Sequence, residues 1–135
     1  MENMYINHFA VVVCAVLSLV LGGLWYSPIL FYKGWRSANN FTDEDLKNVN
    51  PAITYSLTFV FALIMSYNMA FFLADAKTDM TWGATAGFLA GFGWATLIFA
   101  VIALFEGRSW KYIFINGGYI TFYFTLMGLI LGAWR

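Results

Sequence analysis

Charge is the scarcest thing in this sequence. Only 10% of its 135 residues are Asp, Glu, Lys or Arg, against about 25% in a soluble globular domain. So few charges cannot cover a water-facing surface. At 61% hydrophobic residues the chain is also too apolar for disorder. Its length allows one domain, residues 1–135. Basic and acidic residues cancel, seven against seven, and no basic stripe is present. No nucleic-acid partner is expected, because neutralising phosphates needs clustered cations.

Cysteine and histidine are nearly absent as well. Cys14 is the only cysteine and His8 the only histidine. One cysteine excludes an intrachain disulfide and a cysteine-based zinc cluster. Within its apolar run, Cys14 reads as a buried thiol. A lipid-attachment cysteine fits less well, since Val13 stands where a small residue is needed. One histidine builds a metal site only if symmetry supplies further copies. Residues 1–10 contain Glu2 but no Lys or Arg, which argues against a cleaved signal peptide. The first hydrophobic segment is therefore expected to remain in the mature protein. Paired membrane carboxylates, a Gly-rich phosphate loop and a nucleophile with a matching base are missing too. No catalytic residue, metal or cofactor is assigned.

What the sequence has is long apolar runs. A bilayer span needs about 20 mostly apolar residues, and four stretches qualify: about 6–26, 51–74, 81–105 and 112–134. Helix is the only open choice, because an isolated strand would leave its backbone unpaired in lipid. The fold class expected is an all-α integral membrane four-helix bundle. Asn50-Pro51 reads as a cap followed by proline at the first helical position. Asp79 and Thr81 are candidate caps for the third span. Trp25, Tyr26, Trp82, Trp110, Tyr112 and Trp134 fall near span ends, where amphipathic rings favour the headgroup region.

The connections differ. Those at 75–80 and 106–111 are short, which predicts antiparallel neighbours. The stretch 27–50 is longer. Its first part, Ser27 to Arg36, predicts an interfacial segment. Thr42-Asp43-Glu44-Asp45 then reads as a capped helix start, with Leu46 and Val49 expected to pack it back onto the bundle. One face of the membrane would hold Lys33, Arg36, Lys47, Arg108 and Lys111, the other Lys77 and Arg135. The richer face is expected to be cytoplasmic. That places the 27–50 and 106–111 loops inside and both termini outside.

Small residues recur every fourth position. The third span has Gly83, Gly87, Gly91 and Ala95, and the fourth Gly128 and Gly132. The first has Ala10, Cys14, Ser18 and Gly22, and the second Ala62, Ser66, Ala70 and Ala74. Such ridges let helices approach closely in lipid. They serve either the bundle itself or a subunit interface, for which the third span has the longest ridge. The echo between Leu19-Val20-Leu21-Gly22-Gly23-Leu24-Trp25 and Leu129-Ile130-Leu131-Gly132-Ala133-Trp134 is also compatible with an inverted repeat.

Polar groups inside a membrane are the default pointers to function. His8 reads as an interfacial residue. Asn68 and Asn116 are each expected to bond a neighbouring helix, in opposite leaflets. Asn116 precedes Gly117-Gly118, where another helix or a ligand could come close. Glu106 and Arg108 read as an interfacial ion pair. Together, Trp25, Tyr26, Glu106, Arg108 and Asn116 form a candidate shallow binding pocket on the cytoplasmic side.

The stretch Gly22-Gly23-Leu24-Trp25-Tyr26-Ser27-Pro28-Ile29-Leu30-Phe31-Tyr32-Lys33-Gly34-Trp35 resembles the opening signature of the domain-of-unknown-function family 1761, small bacterial membrane proteins. Asn116-Gly117-Gly118-Tyr119 and Met127-Gly128-Leu129-Ile130-Leu131-Gly132-Ala133-Trp134 match its later part. Tyr32 departs from a usual glycine, which bears on the conformation of the turn. The resemblance implies a multi-span bundle in a bacterial inner membrane and carries no established activity.

These residues favour a role in binding or passing a small solute, ion or lipid as a homo-oligomer in the lipid bilayer. The alternative is an accessory subunit of a larger membrane complex. A membrane enzyme is the third class.

Overall fold

Each long helix starts on a polar side chain that accepts hydrogen bonds from the free backbone N–H groups of its first turn. Asn7 caps α1 (His8–Trp25) through the amides of Phe9 and Ala10. Asn50 does so for α4 (Pro51–Phe72), Asp79 for α5 (Met80–Phe105) and Ser109 for α6 (Trp110–Ala133). These four helices are long and apolar enough to cross a membrane, as expected for an integral membrane protein. Two short helices, α2 (Tyr32–Asn39) and α3 (Asp43–Lys47), fill the first connection. The computed structural model describes residues 4–135; Met1 to Asn3, with the Glu2 of the signal-peptide argument, lie outside the described residues.

The last helix is the hub. α6 packs against α1, α2, α4 and α5, while α1 also packs against α4. The shared core contains Val11, Cys14, Ala62, Met69, Leu73, Tyr123 and Met127. Tyr119 and Tyr123 stack at 6.0 Å on α6. They donate their hydroxyls to the α1 carbonyls of Ser18 and Cys14 at 2.7 and 2.8 Å. Where lipid removes the hydrophobic drive between helices, such bonds and close packing hold them together.

α5 lies chiefly along α6. A Cβ on Gly83 would run into the Gly128 carbonyl, and one on Gly87 into the Phe124 carbonyl. The ridge of the third span is therefore in contact with the fourth span of the same chain. Its expected fourth member, Ala95, gives way to Thr96. Between Gly91 and Thr96 the helix opens into a π-turn, which adds one residue to the repeat. Thr96 is buried and bonds the Gly117 carbonyl at 3.1 Å and the Thr121 hydroxyl at 2.9 Å.

Two other expectations are corrected. α4 and α5 are joined by a short loop, yet a groove lined by both separates them. The glycine ridge draws α5 onto α6, and Phe72, Trp82 and Trp94 stand in the space left towards α4. In the first connection, α3 has the expected capping box on Thr42 and Asp45, but Val49 is exposed rather than packed down. α2 rests on the start of α6, where Gly34 meets Ile115 and Lys111. Tyr32 opens α2 without a positive φ and accepts a hydrogen bond from Arg36, so no glycine is needed there.

Candidate functional site

Trp25 and Tyr26 end α1, and the Asn116–Tyr119 stretch of α6 comes up beside them. The Trp25 indole N–H donates to the Ile115 carbonyl at 2.8 Å. Its ring lies on Gly118, where an added Cβ would sit 2.9 Å from it. Tyr26 donates its hydroxyl to the Asn116 side-chain oxygen at 2.6 Å. The Asn116 amide N–H turns back to its own helix at the Tyr112 carbonyl. Phe31, Trp35 and Tyr119 pack round the pair, with ring centroids 4.8 to 6.4 Å away. The two most distinctive stretches of the sequence thus meet in one aromatic junction, tied by the Tyr26–Asn116 side-chain bond and the Trp25 bond to the Ile115 carbonyl.

Glu106 and Arg108 stay outside that junction. Gly107 takes a φ of 70° and turns the chain between them, and they form no ion pair. The Arg108 guanidinium instead bonds the Asn39 side chain at the end of α2 and lies 3.7 Å over the Tyr112 ring. Glu106 is exposed. Among the described residues the one ion pair is Arg36 to Asp43. It holds the Arg36 guanidinium above its ordinary value, first through the hydrogen bond to Asp43.

At the opposite face, exposed His8 pairs its Nδ1 with the Tyr67 hydroxyl at 2.8 Å. Asn68, one residue further along α4, makes no side-chain hydrogen bond among the described residues. It is exposed and lines the α4/α5 groove, which corrects the expectation that it bonds a neighbouring helix. The small residues of the fourth span, Gly128 and Gly132, lie against Gly83 of α5, and Gly91 lies against the Phe124 ring. No three His, Cys, Asp or Glu side chains come together among the described residues.

Sequence reasoning missed two grooves that flank α5. One, of about 620 Å³, lies between α5 and α6 and is lined by Phe92, Leu97, Trp110, Phe114 and Phe122, among others. The other, of about 550 Å³, lies between α4 and α5 over a floor of Phe124. Met65, Met69, Phe72, Leu89 and Trp94 form its walls, with Asn68 among them. No run of apolar residues announces a groove, since its walls read like any lipid-facing surface.

Four helices long and apolar enough to cross a membrane, joined by an aromatic junction and flanked by apolar grooves, define an all-helical integral membrane protein. The chain belongs to the family described as "Protein of unknown function (DUF1761)", whose model matches residues 9–132. The Trp25 and Gly118 ends of the junction both fall within that match. No curated protein and no solved structure matches the chain.

Proposed function

We propose that the protein binds a lipid or similarly apolar small molecule within the bilayer, and that it does so as a homo-oligomer. Of the small solute, ion and lipid that the sequence leaves open, lipid fits best. The observation that carries this reading is the pair of grooves beside α5, whose walls are almost wholly hydrocarbon. An ion or polar solute would need several convergent polar groups. The polar groups of Trp25, Tyr26 and Asn116 are already hydrogen-bonded, to the Ile115 carbonyl, to each other and to the Tyr112 carbonyl. The test is native mass spectrometry after gentle solubilisation. A discrete oligomer carrying lipid supports the proposal, and a lipid-free monomer overturns it.

A second reading is an accessory subunit of a larger membrane complex. It draws on α5, which packs chiefly against α6 and leaves Trp94 74% and Phe105 90% exposed. Co-purification of other proteins in fixed ratio would favour it. Placement in a bacterial inner membrane, with both termini outside, is part of the proposal and is supported by the Lys and Arg imbalance between the loops. In a Cys14→Ser background, an impermeant thiol reagent applied to intact cells should label Lys77→Cys and spare Ser109→Cys.

A further inference from the structure

We infer that the α4/α5 groove seats one acyl chain of a glycerolipid from the leaflet on the side of the 73–79 loop, with Asn68 donating its amide N–H to the lipid ester carbonyl. The inference rests on the lipid-binding reading above and names the lipid chemistry and the residue that recognises it.

Three observations converge. The first is the dimension of the groove. On α5 it runs from Trp82 to Trp94, about 18 Å along the axis at 1.5 Å per residue. One leaflet contributes about 15 Å of hydrocarbon, half of the roughly 30 Å core. The groove therefore has the length of a single chain layer, and Phe72 and Trp82 on its lining place one end beside the 73–79 loop. The second is its lining. Met65, Met69, Phe72 and Leu89 give an apolar slot, and unbranched methionines adapt to a flexible guest. The third is Asn68. It precedes the end of α4, Phe72, by about 6 Å, roughly one turn inside the hydrocarbon edge at which acyl esters sit. Its amide has no partner among the described residues, and an unpaired amide facing hydrocarbon is costly. An ester carbonyl at that edge is the nearest acceptor a lipid can bring to that N–H. On the wall of the α5/α6 groove, by contrast, the Thr96 and Thr121 hydroxyls bond each other.

A second copy of the chain is the competing occupant, since an amide also pairs with itself across a two-fold axis. One experiment separates the two. The full chain in detergent is given equal amounts of diester and diether phosphatidylglycerol with the same acyl and alkyl lengths, and bound lipid is read by native mass spectrometry. The wild type is expected to retain the diester form about three- to tenfold in preference, the worth of one hydrogen bond. Asn68→Leu should erase the preference while still retaining lipid. Gly93→Leu should cut retention of both lipids, because it fills the groove from a position where an added Cβ meets no atom within 4 Å. An unchanged thermal unfolding midpoint shows that either variant is folded. Lipid retained by the wild type with no ester preference, or with indifference to both variants, overturns the inference and leaves the lipid-binding reading standing. A lipid-free dimer that both variants dissociate assigns the groove to a second copy and overturns the inference together with that reading.

Discussion

The Trp25 indole occupies the space that any side chain on residue 118 would need. Its Cζ2 lies 2.9 Å from where a Gly118 Cβ would be built, while its N–H is tied to the Ile115 carbonyl at 2.8 Å. The ring is pinned at both edges and has little room to yield. Gly118→Ala should cost about 1–3 kcal/mol, the range for overpacking a filled site. Adding Trp25→Phe should recover part of that loss, giving the non-additivity expected of touching residues. Thermal unfolding of the four proteins in one detergent measures the cycle, and simple additivity would deny the contact.

The contact between α5 and α6 is made backbone to backbone. Substituting Gly83 or Gly128 by Val should separate the two helices, because each Cβ is aimed at the other residue's carbonyl. A stability loss of about 3 kcal/mol or more is expected. Gly23→Val, where the added atom meets nothing within 4 Å, is the matched control and should stay close to wild type. An engineered crosslink between α5 and α6 would report the separation directly by losing efficiency in Gly83→Val.

Deleting Gly93 should be tolerated. Between Gly91 and Thr96 the π-turn uses one residue more than an α-turn would. Removing one residue whose surroundings are open lets the segment relax to α-helix with Thr96 still facing Gly117. Stability within about 1 kcal/mol of wild type is expected, as for changes that disturb no packing. A large loss would mean that the π-turn itself is required by the packing. Thr96→Val, by contrast, should cost about 0.6 kcal/mol, a typical worth for a side-chain hydrogen bond between membrane helices.

Acid should unravel α3 before anything else. The Asp45 carboxyl is held below the ordinary carboxylate range, first by the Thr42 backbone N–H and then by the Thr42 hydroxyl. A group whose value is lower in the folded state stabilises that state above its unfolded value of about 3.9, and the contribution disappears as pH falls through the lowered value. Lowering the pH from 5 towards about 2 should therefore fray Asp43–Lys47, leaving the four long helices in place. Asp45→Asn should weaken the pH dependence. Backbone chemical shifts of Leu46 follow the change, and an unaltered acid transition in the variant would refute the assignment.

The extent of the four spans could be read from apolar runs and caps. About 51–74 was expected where α4 occupies Pro51–Phe72, because Asn50-Pro51 is a start signal that needs no tertiary context. What could not be read is anything a single-residue change of phase decides. The small-residue repeat of the third span points to Ala95, and only the π-turn moves the contact to Thr96. Nor does sequence show that Arg108 reaches Asn39 in preference to nearby Glu106, since the choice depends on how α2 rests on α6. Within the candidate site, Trp25, Tyr26 and Asn116 do come together, but as a junction whose polar groups are already hydrogen-bonded. The grooves arise from the spacing of helices, a property no residue carries alone.

α6 touches every other spanning helix, and it is the last of the four to leave the ribosome. Until it is made, the tyrosine hydroxyls that reach α1 and the glycines that receive α5 do not exist, so three helices wait in the bilayer without their common partner. Domains whose early segments pair with each other can begin folding during synthesis; here only the α1 and α4 pair has that option. A nascent chain arrested before Trp110 should therefore hold α5 loosely, and release of the final segment should be the event that assembles the bundle.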